Sequence, residues 1–218
     1  NYVLPIKKEM DNLRKKKLNL DKLRPWDMQV DINQKEPLKP YKTTQELVDG
    51  VGKIFGDIKP LFGKNFNYLN DNGFFDLDSR KGKSPGGYMM PLKESGAAFI
   101  FMNGANQHQD VITMLHEGGH AMHFLQSKEL KLKQNQMGPS EISEVASMSM
   151  ELLGIDGLKH FYSDDDLKRA KKENLERMIS LFPPIAKCDA FQHYIYTNSK
   201  LSIDDICDYW ESLNKDWN

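Results

Sequence analysis

Two histidines four residues apart, inside one helical stretch, constrain this chain more than any other feature. His116-Glu117-Gly118-Gly119-His120 lies in a segment where Val111, Leu115, Gly118, Met122 and Leu125 recur at helical spacing. Side chains at i and i+4 stack on one helix face, so both imidazoles can converge on one ion at ~2.0–2.1 Å. The glutamate after the first histidine projects from the neighbouring strip, where it can reach a water on that ion without ligating the ion itself. Both histidines lie off the apolar stripe, so the helix can pack on a core while its imidazoles turn elsewhere. Gly118 and Gly119 stand mid-helix, where each costs about 0.5–1 kcal/mol relative to alanine. A local rule broken inside a long helix implies that another element approaches closely there.

A catalytic ion of this kind needs a third protein ligand and one open position. The stretch after Gly138-Pro139, with Ser140 as a possible cap, reads as a helix carrying Glu141, Glu144, Met148 and Glu151 on one face. A solvated face would hold more Lys and Gln among its acids. Glu144, in the middle, is the expected third ligand. Glu141 and Glu151 are placed to accept hydrogen bonds from the far imidazole nitrogens, fixing tautomer and orientation. His123 lies three residues after His120 and faces nearly the same way. It is a decoy ligand, expected either to support the site or substrate, or simply to pack.

The rest of the chain reads as mainly α. Lysine-rich residues 1–20 form a helix with a solvated basic face, and 21–42, with Pro25, Pro37 and Pro40, form an extended connector. Thr43 and Glu46 make a capping box that opens a helix through Ile58, followed by a second helical piece through Phe66 and Leu69. Between 74 and 107, glycines and prolines separate short apolar runs that suit strands or a hairpin. Helices are expected at about 108–127, 139–154, 164–181, 183–198 and 202–216. The expected fold is a multi-helix zincin-type catalytic core with one small antiparallel β-sheet beside the metal helix. Residues 1–218 are read as a single catalytic-domain fragment: a helical lead-in (1–73), a small β region (74–107) and a helical zinc-site region (108–218).

Net charge is −1, without the basic excess of a nucleic-acid binder. No apolar run approaches the ~20 residues of a membrane span, so no membrane partner is expected. Two cysteines, Cys188 and Cys207, are too few for a disulfide framework, and a reducing, cytoplasmic location is the expectation.

Several blocks, in order, resemble one family. They are Leu23-Arg24-Pro25-Trp26-Asp27, Pro85-Gly86-Gly87-Tyr88, Ala98-Phe99-Ile100-Phe101-Met102-Asn103, Thr113 through His123 around the histidine motif, Glu144-Val145-Ala146-Ser147, and Asp189-Ala190-Phe191-Gln192-His193-Tyr194. Together they resemble the oligoendopeptidase F / thimet oligopeptidase family. The resemblance implies a zinc endopeptidase acting on short peptides, with one zinc on His116, His120 and Glu144, Glu117 as base, and Glu151 as support for a ligand. The family carries further tyrosine- and histidine-bearing segments beyond the last block, and a long helical portion before the first. The chain is therefore expected to be the metal-bearing core of a larger enzyme, with the remaining parts of that enzyme as partners.

The expected chemistry is attack of a metal-activated water on the peptide carbonyl, with Glu117 taking the proton. Peptide is expected antiparallel to an exposed edge of the 97–102 strand, which makes Tyr88, Ala98 and Phe99 the substrate-side residues. Cobalt or manganese could occupy the same ligands. Two other readings compete: an inactive zinc-stabilised fragment or binding scaffold, and a metal hydrolase acting on a non-peptide amide.

Overall fold

The computed structural model describes residues 2–136 and 138–217. Pro37–Ala170 forms one compact unit, and the residues up to Glu36 and from Lys171 onward form another.

The Pro37–Ala170 unit opens with α2 (Thr44–Ile58), preceded in the chain by α1 (Val3–Lys17). Thr43 Oγ1 accepts the Glu46 amide at 3.2 Å and so satisfies a donor that the helix cannot. The Glu46 carboxylate reaches back to the Lys42 amide at 2.6 Å, one residue earlier than a reciprocal capping box would have it. Pro60 begins α3 (Pro60–Asp71), where its missing N–H costs nothing. Leu47, Val51, Ile54 and Phe55 of α2, with Phe66 and Leu69 of α3, are fully buried.

Three strands follow: β1 (Phe75–Asp78), β2 (Tyr88–Leu92) and β3 (Ala97–Gly104), in the order β1-β3-β2. β2 and β3 are joined by a short turn and pair antiparallel, with Met89 opposite Ile100. β1 runs parallel to β3, with Phe75 also opposite Ile100. The sheet is therefore mixed, not antiparallel as expected. The β1–β3 pairing joins residues remote in sequence, and no local pattern announces its direction. Charge fastens the connection from β1 to β2. Arg80 forks onto the Asp76 carboxylate at 2.6 and 2.8 Å, and buried Lys83 donates to Asp76 O, Asp78 O and Met102 O at 3.0, 2.9 and 2.6 Å. Arg80 and then Lys83 hold Asp76 well below the usual carboxylate range.

α4 (His108–Ser127) carries the histidine motif, and α5 (Ser140–Leu153) packs against it. Pro139 occupies the N-cap place of α5, and Ser140, the cap expected from sequence, is the first helical residue. A Cβ on Gly118 would lie 2.6 Å from the Phe55 ring, and one on Gly119 would lie 2.7 Å from Ser147 Cα. The two mid-helix glycines thus allow close approach on two sides. The start of α4 is pinned by Asp110, whose Oδ2 accepts from the Tyr41 hydroxyl at 2.5 Å and from the Ala105 and Gln107 amides at 2.9 and 2.8 Å. Burial, and then the hydrogen bond to Asp110, raises the Tyr41 hydroxyl above its ordinary pKa.

In the other unit, α6 (Asp164–Thr197) continues past Lys171 and is followed by α7 (Ile203–Trp217). α6 runs unbroken through Pro183 and Pro184, where two separate helices were expected. Each proline removes one i→i−4 bond, at about 3 kcal/mol. Beyond them the helix is held to α7 by ring pairs Phe191–Trp210 and Tyr194–Tyr209, with centroids 5.0 and 3.9 Å apart. Lys187 Nζ donates to Asn214 Oδ1 at 2.7 Å in the same pairing. Cys188 and Cys207 are exposed free thiols. Among the described residues no helix is long and apolar enough to cross a membrane.

Asp110→Ala strands two amides and one hydroxyl inside the Pro37–Ala170 unit. The expected loss of stability is on the order of 3 kcal/mol, measured by urea unfolding.

Candidate metal centre

α4 presents His116 and, one turn later, His120 on the same face, with ring centroids 4.9 Å apart and planes at 87°. α5 brings Glu144 alongside. Its Oε2 lies 3.3 Å from His116 Nε2 and its Oε1 lies 3.5 Å from His120 Nε2. One ligand atom from each of the three residues lies within 4.8 Å of the other two. Among the described residues, no other trio of His, Cys, Asp or Glu converges in this way.

The spacing fits an ion. Donors held ~2.0–2.1 Å from a tetrahedral metal lie about 3.4 Å from one another. Glu144 comes within 3.3 Å of one imidazole and 3.5 Å of the other, each through a different oxygen, so small side-chain adjustments would bring the three residues onto one ion. The far side of His116 is also arranged: its Nδ1 meets Glu151 Oε1 at 2.7 Å, and Glu151 is buried. His120 has a hydrogen bond to the backbone of Ser143. Such partners aim the ligating nitrogen and raise its basicity.

The electrostatics follow from burial and from three nearby carboxylates. Burial opposes the charged form of His116, but the bond to Glu151 and the charges of Glu117, Glu151 and Glu144 outweigh it and hold the ring above its ordinary pKa. His120 is held below its ordinary value, first by burial and then by the His116 charge. Glu117 is 8% exposed. Burial pushes its carboxyl up, against the His116 charge and a backbone hydrogen bond from Met89. A carboxylate raised in this way is a stronger base near neutral pH.

The bond from Met89 places the sheet. The Ile100 amide donates to Phe74 O at 2.9 Å, on the β1 side. Its partner across the ladder, Met89, therefore turns its own N–H and C=O away from β3. The free edge of β2 faces Glu117.

β3, expected to offer peptide an open edge, is the central strand, flanked by β1 and β2. Ala98 is fully buried and Phe99 pairs with Met90, so neither presents a free edge. Tyr88 lies on the edge strand, 43% exposed and stacked on Phe101 at 4.9 Å. Glu141 is exposed, and the carboxylate on the His116 Nδ1 belongs to Glu151. His123 is half-buried, and its shielded Nδ1 has no hydrogen-bond partner among the described residues. Sequence reasoning missed Met89 and Ser143, which act through backbone groups and carry no side-chain signal. It also missed Ser147, a buried hydroxyl 3.3 Å from Glu144 Oε2, which the i+3 spacing could have flagged.

Two histidines of an H-E-x-x-H helix and a carboxylate delivered from the next helix make a group that could hold a metal ion. The sequence profile of peptidase family M3 matches residues 3–218, and the chain belongs to that family. Among curated proteins it is 26% identical over 129 residues to group B oligopeptidase PepB of Streptococcus agalactiae, covering 59% of this chain and 21% of that protein. It is 27% identical over 166 residues to an oligoendopeptidase F homolog of Lactococcus lactis, covering 74% and 26%. A crystal structure assigned to an oligoendopeptidase F from Bacillus anthracis superposes with TM-score 0.90 at 25% identity, over 99% of this chain and 39% of that one. PZ peptidase A with a bound inhibitor superposes with TM-score 0.91 at 24% identity, over 99% and 38%. The chain thus spans about a quarter of the curated relatives it matches.

Protons must leave the imidazoles before a metal binds. Because His116 is held above its ordinary pKa, metal affinity falls as pH drops through a point above that ordinary value. Glu151→Gln is expected to move this limb to lower pH and to weaken binding about 10–100-fold where both imidazoles are neutral. Cobalt titrations followed by absorbance across the pH range measure both effects.

Proposed function

We propose that this chain carries the catalytic centre of a zinc-dependent oligopeptidase, with His116, His120 and Glu144 as ligands and Glu117 as general base. The observation that carries the reading is the convergence of two imidazoles and one carboxylate within 4.8 Å beside a buried glutamate. Membership of peptidase family M3 supports it. A zinc ion on these residues supplies Lewis acidity toward the scissile carbonyl and the attacking water.

The chain's own groups do the rest. Glu117 takes a proton from the attacking water and returns it to the leaving amide nitrogen. Glu151 fixes the orientation of His116, and the Ser143 backbone that of His120. An extended peptide lies along the edge strand β2, where Tyr88 is exposed and Met89 turns its C=O outward, its N–H being taken by Glu117. Main-chain pairing there reads backbone rather than side chains, which suits short peptides of varied sequence. The cytoplasm is the proposed location.

A second reading rests on length. The chain spans 39% of the Bacillus anthracis structure. The isolated chain would then bind zinc without turnover. A quenched fluorogenic peptide, assayed with and without a chelator, separates the two. Hydrolysis lost on chelation and restored by zinc supports the first; stoichiometric zinc binding without hydrolysis supports the second. Hydrolysis unaffected by chelation would refute both.

Glu117→Gln keeps all three ligands. It is expected to retain zinc and to lower kcat by about 10²–10⁴-fold, the range a positioned proton-transfer group contributes. Turnover by that variant at the wild-type rate would remove Glu117 from its assigned role.

A further inference from the structure

We propose that the backbone contact between Gly119 and Ser147 is the positioning device that delivers Glu144 to the two histidines, so that the width of the α4–α5 crossing sets metal affinity. The inference rests on the zinc site proposed above and deepens it.

Two of the three donors, His116 and His120, belong to one turn of α4 and are placed by helix geometry alone. The third belongs to α5, so its position depends on how closely the two helices pack. The two helices approach closely next to the site. A Cβ on Gly119 would lie 2.7 Å from Ser147 Cα, 3.1 Å from Ser147 O and 3.0 Å from Met150 Cγ. Two of these atoms are helix backbone, which cannot rotate out of the way. Ser147 is fully buried at this contact. It sits three residues after Glu144, and its hydroxyl lies 3.0 Å from Glu144 O and 3.3 Å from Glu144 Oε2. Gly119 immediately precedes the ligand His120. The contact therefore joins the two helices within one turn of a ligand on each side.

Magnitudes decide that this matters. Non-bonded carbon atoms prefer about 3.5–4.0 Å, so one methyl on Gly119 must push α5 away by about 1 Å. Metal–ligand bonds tolerate about 0.2 Å. The Glu144 side chain is 52% exposed and retains rotamer freedom, so it follows the ion part of the way. A partial loss of affinity is expected, not complete loss. Gly118 supplies the control. Its Cβ would meet the Phe55 ring at 2.6 Å, so the same methyl one residue earlier presses on α2 rather than α5.

The test compares Gly119→Ala, Ser147→Val and Gly118→Ala with wild type in the full chain. Zinc affinity is read by competition with a chromophoric chelator, the cobalt d–d spectrum reports the ligand set, and circular dichroism checks the fold. Wild type binds one zinc, and Gly118→Ala stays within about threefold of it despite lowered Tm. Gly119→Ala and Ser147→Val bind about tenfold or more weakly, with cobalt bands altered as in Glu144→Ala. If Gly119→Ala does not fold, Ser147→Val decides when read against Ser147→Ala, which removes the same hydroxyl without the added bulk in this buried position. Folded Gly119→Ala or Ser147→Val with the zinc affinity of Gly118→Ala would overturn the proposal while leaving the zinc site standing. A wild-type chain that binds no zinc would overturn the site itself, and this inference with it.

Discussion

A carboxylate on one helix has to reach bonding range of two imidazoles on another, and no local rule of either helix can arrange that. The site depends on this one tertiary contact. The core that makes it possible is ordinary. α2 and α3 bury a row of aromatic and aliphatic side chains under α4, and Phe55 fits where Gly118 leaves room. The other face of α4 is left for α5 and the sheet. Packing on one side of the helix and chemistry on the other explain why its apolar stripe and its histidines point apart.

Charge balance is the second constraint. Glu117, Glu144 and Glu151 surround two imidazoles in a partly buried space. The bond to Glu151 and the nearby carboxylates push His116 up, and burial pushes Glu117 up. A divalent ion bound to His116 would have to displace its proton, the usual linkage between metal uptake and proton release. The three acids differ by environment more than by type. Glu151 is buried against a ring nitrogen, Glu117 is buried beside a backbone amide of β2, and Glu144 faces solvent.

The convergence of His116, His120 and Glu144 was legible in the sequence because two members share a helical turn and the third stands on a helix whose acids lacked their usual Lys and Gln company. Glu151 was legible by the same face argument. The sheet was not. The antiparallel pairing of β2 with β3 follows from a short turn, but the parallel insertion of β1 joins remote residues, and it moved β3 from the edge to the centre. β2 is an edge of the sheet as a result, and Ala98 and Phe99 lie on the central strand. The unbroken α6 escaped detection for a related reason. Pro183 and Pro184 break a helix by local rules, and contacts with α7, invisible to those rules, hold it together.

The unequal exposure of the three donors has a kinetic meaning. The side chains of His116 and His120 are 25% and 14% exposed, whereas that of Glu144 is 52% exposed. The imidazoles form the fixed wall of the cage and the carboxylate forms its door. An ion held there would meet water chiefly on the Glu144 side, so exchange would favour the swing of that one glutamate over movement of the histidines.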